Sequence, residues 1–247
     1  MSAVAAWIAD PALLLAMAAV GLAGIVRGFS GFGSAMIMIP SLSAIYAPVT
    51  AIPVGLLLEI VLTVPFIGTC ARLVDWRRLA LLALAATLAV PLGALALIAI
   101  PATILRWGIS LIVLMSVAAL AFGWRYRGPP ASGATAAAGL LSGLLNGSVG
   151  MAGPPVVFFL LAGPDTASQV RATCIVYFGV IDAVTVLVLA VRGLVGPNVL
   201  LLAALLAPSY LVAAWIGARL FQRTGEERYR RIALAILSLV AIGSLAA

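Results

Sequence analysis

The chain contains no histidine and no lysine, has two cysteines, and carries Asp, Glu, Lys or Arg at 9% of its 247 positions. Each shortage excludes something. Soluble globular domains are charged at about a quarter of their residues, so this set is too sparse for a surface that faces water. Without histidine, the commonest general base and metal ligand is missing. Cys70 and Cys174 are far apart, each inside or at the end of an expected helix, and read as small apolar packing residues rather than a disulfide framework or a metal site. A membrane-embedded enzyme or assembly factor finds little to work with here, and neither catalytic residues nor a cofactor is expected.

What remains is 65% hydrophobic. The apolar runs far exceed the alternating ten-residue segments of an outer-membrane barrel and are rich in Ala and Leu, so the expected class is all-α, a polytopic helical membrane protein in contact with lipid. The net charge of +7 comes from fourteen arginines against seven acids. Because those arginines sit at the ends of apolar runs, topological orientation explains them and nucleic acid is not an expected partner. Met1 to Ala9 carry no Lys or Arg, so the basic region of a secretory signal is missing and the first apolar segment is expected to stay in the fold.

One stretch interrupts the apolar pattern: Gly24-Ile25-Val26-Arg27-Gly28-Phe29-Ser30-Gly31-Phe32-Gly33-Ser34. Shifted by 119 residues, Gly24, Gly28 and Gly31 fall on Gly143, Gly147 and Gly150 of a second break that runs to Gly153. Around these breaks the two halves keep the same order. Asp10-Pro11 caps an apolar segment to about Val26, and short apolar pieces follow the breaks, from Ala35 to about Ala47 and from Pro154 to Ala162. Thr50–Cys70 and about Arg77–Ile100, the latter capped by Asp75, match about Arg171–Val191 and a span from Pro197 to about Phe221. Pro101 opens a further helix that ends at Trp124–Pro130, and Thr224-Gly225-Glu226-Glu227 has capping-box spacing ahead of a last helix, about Arg228–Leu245. At a shift of 124, Gly93-Ala94 matches Gly217-Ala218 and Arg106 matches Arg230. The pattern reads as one integral membrane domain, 1–247, built from an internal repeat at about 10–127 and another at about 131–247.

Counting arginines orients the halves. If each glycine break is a hairpin that enters and leaves on one side, each half has three full spans. Arg72, Arg77, Arg78, Arg125, Arg127, Arg171, Arg219, Arg223, Arg228, Arg230 and Arg231 then share the cytoplasmic side, with Arg106 and Arg192 opposite. An odd number of crossings inverts the second half, the plan of many secondary transporters. The expectation is therefore two inverted repeats in a bacterial inner membrane, each a glycine-broken helical hairpin plus three spans, eight to ten helical segments in total. The count does not fix whether the hairpin arms span fully.

A turn inside a membrane leaves backbone groups unpaired and must face protein or a watery cavity. Helices restarting near Ser34 and Gly153 would aim free N–H groups into that cavity and attract an anion. The candidate substrate-binding residues are Arg27, Gly28, Ser30, Gly31, Gly33, Ser34, Asn146, Gly147, Ser148, Gly150 and Gly153. The bland alternative is that the Gly-x-x-x-Gly spacing at Gly24/Gly28 and Gly143/Gly147 merely lets helices pack closely. Arg27 reads either as a ligand in the site or, if its arm spans fully, as an interfacial anchor; Arg171 reads as an orientation signal. Glu59 and Asp182 lie within spans and are candidate coupling groups for protons or Na+, the alternative being structural pairing with a neighbouring arginine or hydroxyl.

The two glycine motifs, Asp75-Trp76-Arg77-Arg78 and Pro91-Leu92-Gly93-Ala94 together resemble the TauE/SafE family of bacterial membrane transporters. The resemblance covers essentially the whole chain. It implies export of small sulfur-containing anions, sulfite or organosulfonates, across the inner membrane. Met151-Ala152 and Pro154-Pro155 depart from the more glycine-rich pattern of the family. The leading expectation is a secondary transporter working by alternating access, with an anion channel as the alternative and homo-oligomerisation compatible with either.

Overall fold

A computed structural model describes residues 11–105, 107, 108, 111, 115 and 131–222. Among them are eight α-helices: α1 Pro11–Ser30, α2 Ser34–Ile45, α3 Pro48–Cys70, α4 Trp76–Ala99, α5 Ser132–Val149, α6 Gly153–Leu161, α7 Ala167–Val191 and α8 Pro197–Gln222. A short 3-10 turn, Ala71–Leu73, extends α3. Five stretches, Pro11–Ser30, Pro48–Leu73, Trp76–Ala99, Ser168–Val191 and Pro197–Leu220, are long and apolar enough to cross a membrane. The expected boundary at Trp124–Pro130, the last helix with its capping box, and Arg106 and Arg230 lie outside the described residues.

Local chemistry sets the helix starts. Asp75 accepts hydrogen bonds from the backbone N–H of Arg77 (3.1 Å) and Arg78 (3.2 Å), the N-cap expected for α4. α7 begins with a capping box that the sequence reading passed over: Gln169 N–H donates to Thr166 Oγ1 while the Gln169 side chain accepts from Thr166 N–H. Pro48 opens α3 and Pro197 opens α8, where a missing N–H costs nothing.

The glycine breaks are narrower than the sequence implies. α1 runs helically through Gly24, Arg27 and Gly28 to Ser30 instead of ending near Val26, and the chain unwinds over 31–33. The second break occupies 150–152, with Gly150 at φ +69°. Gly24 and Gly28 stay helical because they face a neighbouring helix at backbone distance. A methyl group at Gly28 would come within 2.8 Å of the Ala218 amide nitrogen on α8, and one at Gly147 within 2.8 Å of the Ala94 amide nitrogen on α4. These glycines are packing residues, the close approach characteristic of Gly-x-x-x-Gly helix pairs.

The packing is reciprocal between halves. α1 lies along α8 and α5 lies along α4. Gly24 faces Tyr210 as Gly143 faces Ala86, Gly28 faces Ala214 as Gly147 faces Val90, and Gly217 faces Ile25 as Gly93 faces Leu144. These pairs correspond under the 119 and 124 shifts. α3 and α7 cross between the two outer pairs. The core around this crossing includes Cys174 and Tyr177, both fully buried. On the outside, Leu84, Leu88, Leu92 and Leu95 of α4 form an exposed stripe, with Leu88 75% exposed, a surface suited to lipid.

α1, of 20 residues, is about 30 Å long, whereas α2 with 12 residues and α6 with 9 reach about 18 and 14 Å, less than a hydrocarbon core of about 30 Å. Each break thus joins a long arm to a short one. Arg27 lies beside Thr63, Ser34 beside Glu59 and Ile39 beside Gly55. α2 therefore turns back from the tip of α1 and descends antiparallel to α3.

Candidate functional site

Between the two breaks lies a cavity. Gly33 and Ser34 line it from the first break, Gly150 and Gly153 from the second, and Arg27, Glu59, Asn146 and Asp182 supply its polar walls. The rest of the lining is largely apolar, including Met36, Leu56 and Phe178. A mostly apolar hollow with a few convergent polar groups is the usual form of a small-molecule site.

The backbone at the tips explains the opening. Gly33, at φ +86°, is the N-cap of α2 and offers no side-chain cap, so the first N–H groups of α2 are left for whatever enters. α6 also lacks a side-chain cap, but Pro154 and Pro155 occupy its first turn and remove two donors. The first break is accordingly the better anion-facing helix end.

Arg27 is buried at 5% exposure and fully engaged. Nε meets Glu59 Oε2 at 3.1 Å, Nη1 donates to the Gly31 carbonyl at 2.8 Å, and Nη2 donates to Thr63 Oγ1 at 3.1 Å. Its guanidinium also stacks over the Phe178 ring at 5.4 Å. A buried arginine needs compensation, and these partners supply it: in the last turn of α1, the Arg27 side chain packs inside the protein rather than outward. Glu59 in turn accepts from Tyr210 OH at 2.7 Å and from Ser34 Oγ. α1, α2, α3 and α8 are tied together at this carboxylate.

Asp182 is held more lightly. Asn146 Nδ2 donates to Asp182 Oδ1 at 3.0 Å and also reaches Thr185 Oγ1 at 2.9 Å, while Asn146 Oδ1 accepts from Ala152 N–H at 3.1 Å. Asn146 so anchors the second break to α7, as Arg27 anchors the first to α3: Arg27–Thr63 and Asn146–Asp182 are the same pair of positions under the 119 shift.

Other sequence candidates lie elsewhere. Ser30 Oγ turns back to the Val26 carbonyl at 2.7 Å and Ser148 Oγ to the Leu144 carbonyl at 2.8 Å; neither lines the cavity, and Gly147 is spent on α4. Gly28 and Gly31 line a second hollow beyond Arg27. Arg171 lines it too, lying across the first break with Nη2 directed to the Gly28 carbonyl at 3.4 Å. Sequence reasoning had placed Arg171 among the orientation signals; a contact spanning 143 residues leaves no local pattern.

The chain matches the family model for the sulfite exporter TauE/SafE over residues 16–244. Among similar proteins is the "Probable sulfite/organosulfonate exporter TauE" of Cupriavidus necator, 30% identical over 99 residues, which cover 40% of this chain and 39% of that protein. No solved structure matches the chain. With a family match across both glycine breaks and the helices that carry them, the chain belongs to the TauE/SafE family.

Proposed function

We propose that this protein is a secondary transporter that exports a small sulfur-containing anion, sulfite or an organosulfonate, across a bacterial inner membrane by alternating access. The observation that carries the reading is the cavity shared by both breaks, with the Arg27 guanidinium and the uncapped start of α2 on its wall. The printed name of the Cupriavidus necator relative supports the substrate class. The reciprocal helix pairs, α1 on α8 and α5 on α4, support two halves related by inversion, so that rocking one pair against the other exposes the cavity to either side in turn. The arginine-rich ends of α3 and α8 face the cytoplasm in this arrangement.

The cavity lining holds two carboxyls, Glu59 and Asp182, against one guanidinium. An anion enters such a site more readily with a proton or cation. Glu59 is committed to Arg27, Ser34 and Tyr210, so Asp182, held by Asn146, is the exchangeable partner and the coupling group.

Counterflow of radiolabelled sulfite into proteoliposomes preloaded with unlabelled sulfite tests the proposal. Accumulation above the equilibrium level is expected, a behaviour that a channel does not produce. Gly150→Leu, which intrudes on Ile39 and Ile52 beside the cavity, is expected to abolish it in protein that remains folded. Absence of counterflow for both sulfite and organosulfonates in the unmodified protein refutes the proposal.

A further inference from the structure

Three charged side chains line the central cavity: Arg27, Glu59 and Asp182. Arg27 and Glu59 neutralise each other at 3.1 Å, which leaves Asp182 as the unmatched charge. While its carboxylate is ionised the cavity is net negative, and an anion entering the largely apolar hollow is repelled. Under the 119 shift Asn146 and Asp182 correspond to Arg27 and Thr63. The first half thus holds a guanidinium whose charge is permanent, and the second a carboxyl whose charge a bound cation can cancel.

The partners of Asp182 decide which cation that is. Ala152 N–H donates to Asn146 Oδ1 at 3.1 Å, so the second break itself turns the amide NH2 group of Asn146 towards α7. Nδ2 then donates to Asp182 Oδ1 at 3.0 Å and to Thr185 Oγ1 at 2.9 Å, and the Thr185 hydroxyl gives its own proton to the Ile181 carbonyl at 2.8 Å. A metal cation beside Asp182 would face the positive end of this amide. Hard cations also gather several oxygen ligands at once, and here Oδ1 and Thr185 Oγ1 are already accepting. Asp182 Oδ2 meets no partner among the described residues and is not sealed from the cavity that the side chain lines. A single open oxygen suits a proton, which needs one lone pair. With Oδ1 taken by Asn146, the proton goes to Oδ2, where the resulting O–H is a donor facing the cavity.

The neighbouring groups offer no second exchangeable site. Glu59 on α3 is held by Arg27 of α1, Ser34 of α2 and Tyr210 of α8. α5 and α6 contain no titratable residue, and α4 contains none beyond Arg78. On α7 itself Cys174 and Tyr177 are fully buried, and the Tyr177 hydroxyl donates to Ser142 Oγ at 2.8 Å. Arg171 and the Arg78–Asp165 pair belong to the start of α7, about three turns away along the helix, and Arg72 and Arg77 are exposed.

We propose that the coupling ion is a proton, carried on Asp182 Oδ2 and bound together with the anion, so that a monoanion and one proton cross the membrane as a neutral pair. The inference rests on the transporter reading and names the ion for the coupling group placed there. A proton taken from one aqueous side on to Oδ2 removes the net negative charge of the cavity. The anion then enters, accepts from this O–H and from the uncapped N–H groups of α2, and both leave on the other side. No net charge moves. The membrane potential therefore neither drives nor opposes the cycle; the concentration and pH gradients set its direction, and an anion that accumulates in the cytoplasm runs outward.

Methanesulfonate is the probe, because it stays a monoanion across the neutral range whereas sulfite itself takes up protons there. The purified full chain in proteoliposomes, with the potential clamped by potassium and valinomycin, receives either an inward proton gradient in sodium-free medium or an inward sodium gradient at equal pH. The proton gradient is expected to drive about tenfold accumulation for a difference of one pH unit, the ratio that one-to-one coupling sets. The sodium gradient is expected to drive none, and changing the clamped potential is expected to leave uptake unchanged. A pH-sensitive dye inside the vesicles is expected to record one proton per anion. Asp182→Asn is expected to carry methanesulfonate without response to pH and with a response to the potential, because the anion then crosses alone; Asp182→Glu is expected to restore the proton response. Sodium-driven uptake, or a proton response that survives in Asp182→Asn, overturns the inference and leaves the transporter reading standing. Uptake by the unmodified protein with no proton movement does the same, whether or not the variants fold. Absence of counterflow for both methanesulfonate and sulfite overturns the transporter reading itself.

Discussion

The Arg27–Glu59 pair allows the structural and functional demands on a buried charge to be separated. Replacing Glu59 by leucine leaves Arg27 buried with only Thr63, Gly31 and the Phe178 ring around it. Removing one partner of a buried pair costs about 3–5 kcal/mol, roughly a hundredfold to several thousandfold in the folding equilibrium. Replacing both, Arg27→Met with Glu59→Leu, removes the uncompensated charge. Such exchanges are often neutral or stabilising by about 1–4 kcal/mol, offset here by the acceptor lost to Ser34 and Tyr210, about 1 kcal/mol each. The double variant is therefore expected to lie within about 2 kcal/mol of the unmodified protein and well above Glu59→Leu. Reversible unfolding in mixed micelles measures the stabilities, and counterflow in proteoliposomes the activity. We expect a folded but silent double variant, because the central cavity has lost its cation. A double variant no more stable than Glu59→Leu refutes the charge argument; one that carries sulfite at the unmodified rate refutes the role of Arg27.

Two glycines and one acid give sharper contrasts. Gly28→Val, pressed against the Ala214 and Ala218 backbone, is expected to destabilise by at least about 3 kcal/mol and to part α1 from α8. Gly193→Ala meets nothing within 4 Å and bears only the strain of φ +76°, so it is expected to cost about 1–2 kcal/mol and to leave flux unchanged; equal losses at the two sites, read by thermal unfolding, contradict the packing role. Asp182→Asn is expected to keep the hydrogen bond to Asn146 in altered form while abolishing any dependence of counterflow on a pH or Na+ gradient. A retained gradient dependence removes Asp182 from the coupling step.

Much of this organisation was legible in the sequence, since composition gave the solvent, arginine placement the helix ends, and the 119 shift the correspondence of the breaks. Gly24 and Gly28 could not be told from true breaks, because four-residue glycine spacing serves close helix packing and unwinding alike. The structure divides the roles: these two pack against α8, and 31–33 unwind. Ser30 and Ser148 looked like ligands because a small hydroxyl near a break is the expected donor, yet Ser148 bonds back one turn along its own helix, and Ser30 bonds back to Val26 and forward to the Phe32 backbone. The hydroxyl that Tyr210 presents to Glu59 and the arm of Arg171 across Gly31 come from elements more than 130 residues away. Such contacts belong to the tertiary arrangement and leave no periodicity to read.

The reciprocal pairing also dictates an order of assembly during synthesis. When α5 emerges, its partner α4 is already in the membrane, and the glycine face of 139, 143 and 147 can close at once. α1 has no such neighbour. The surface it needs, at Tyr210 and Ala214, is encoded about 190 residues after Gly24, which at common translation rates of about 5–20 residues per second is a delay of roughly 10–40 s. Throughout that interval α1 waits for α8, and its small-residue face stands open to lipid, to insertion machinery or to another nascent chain.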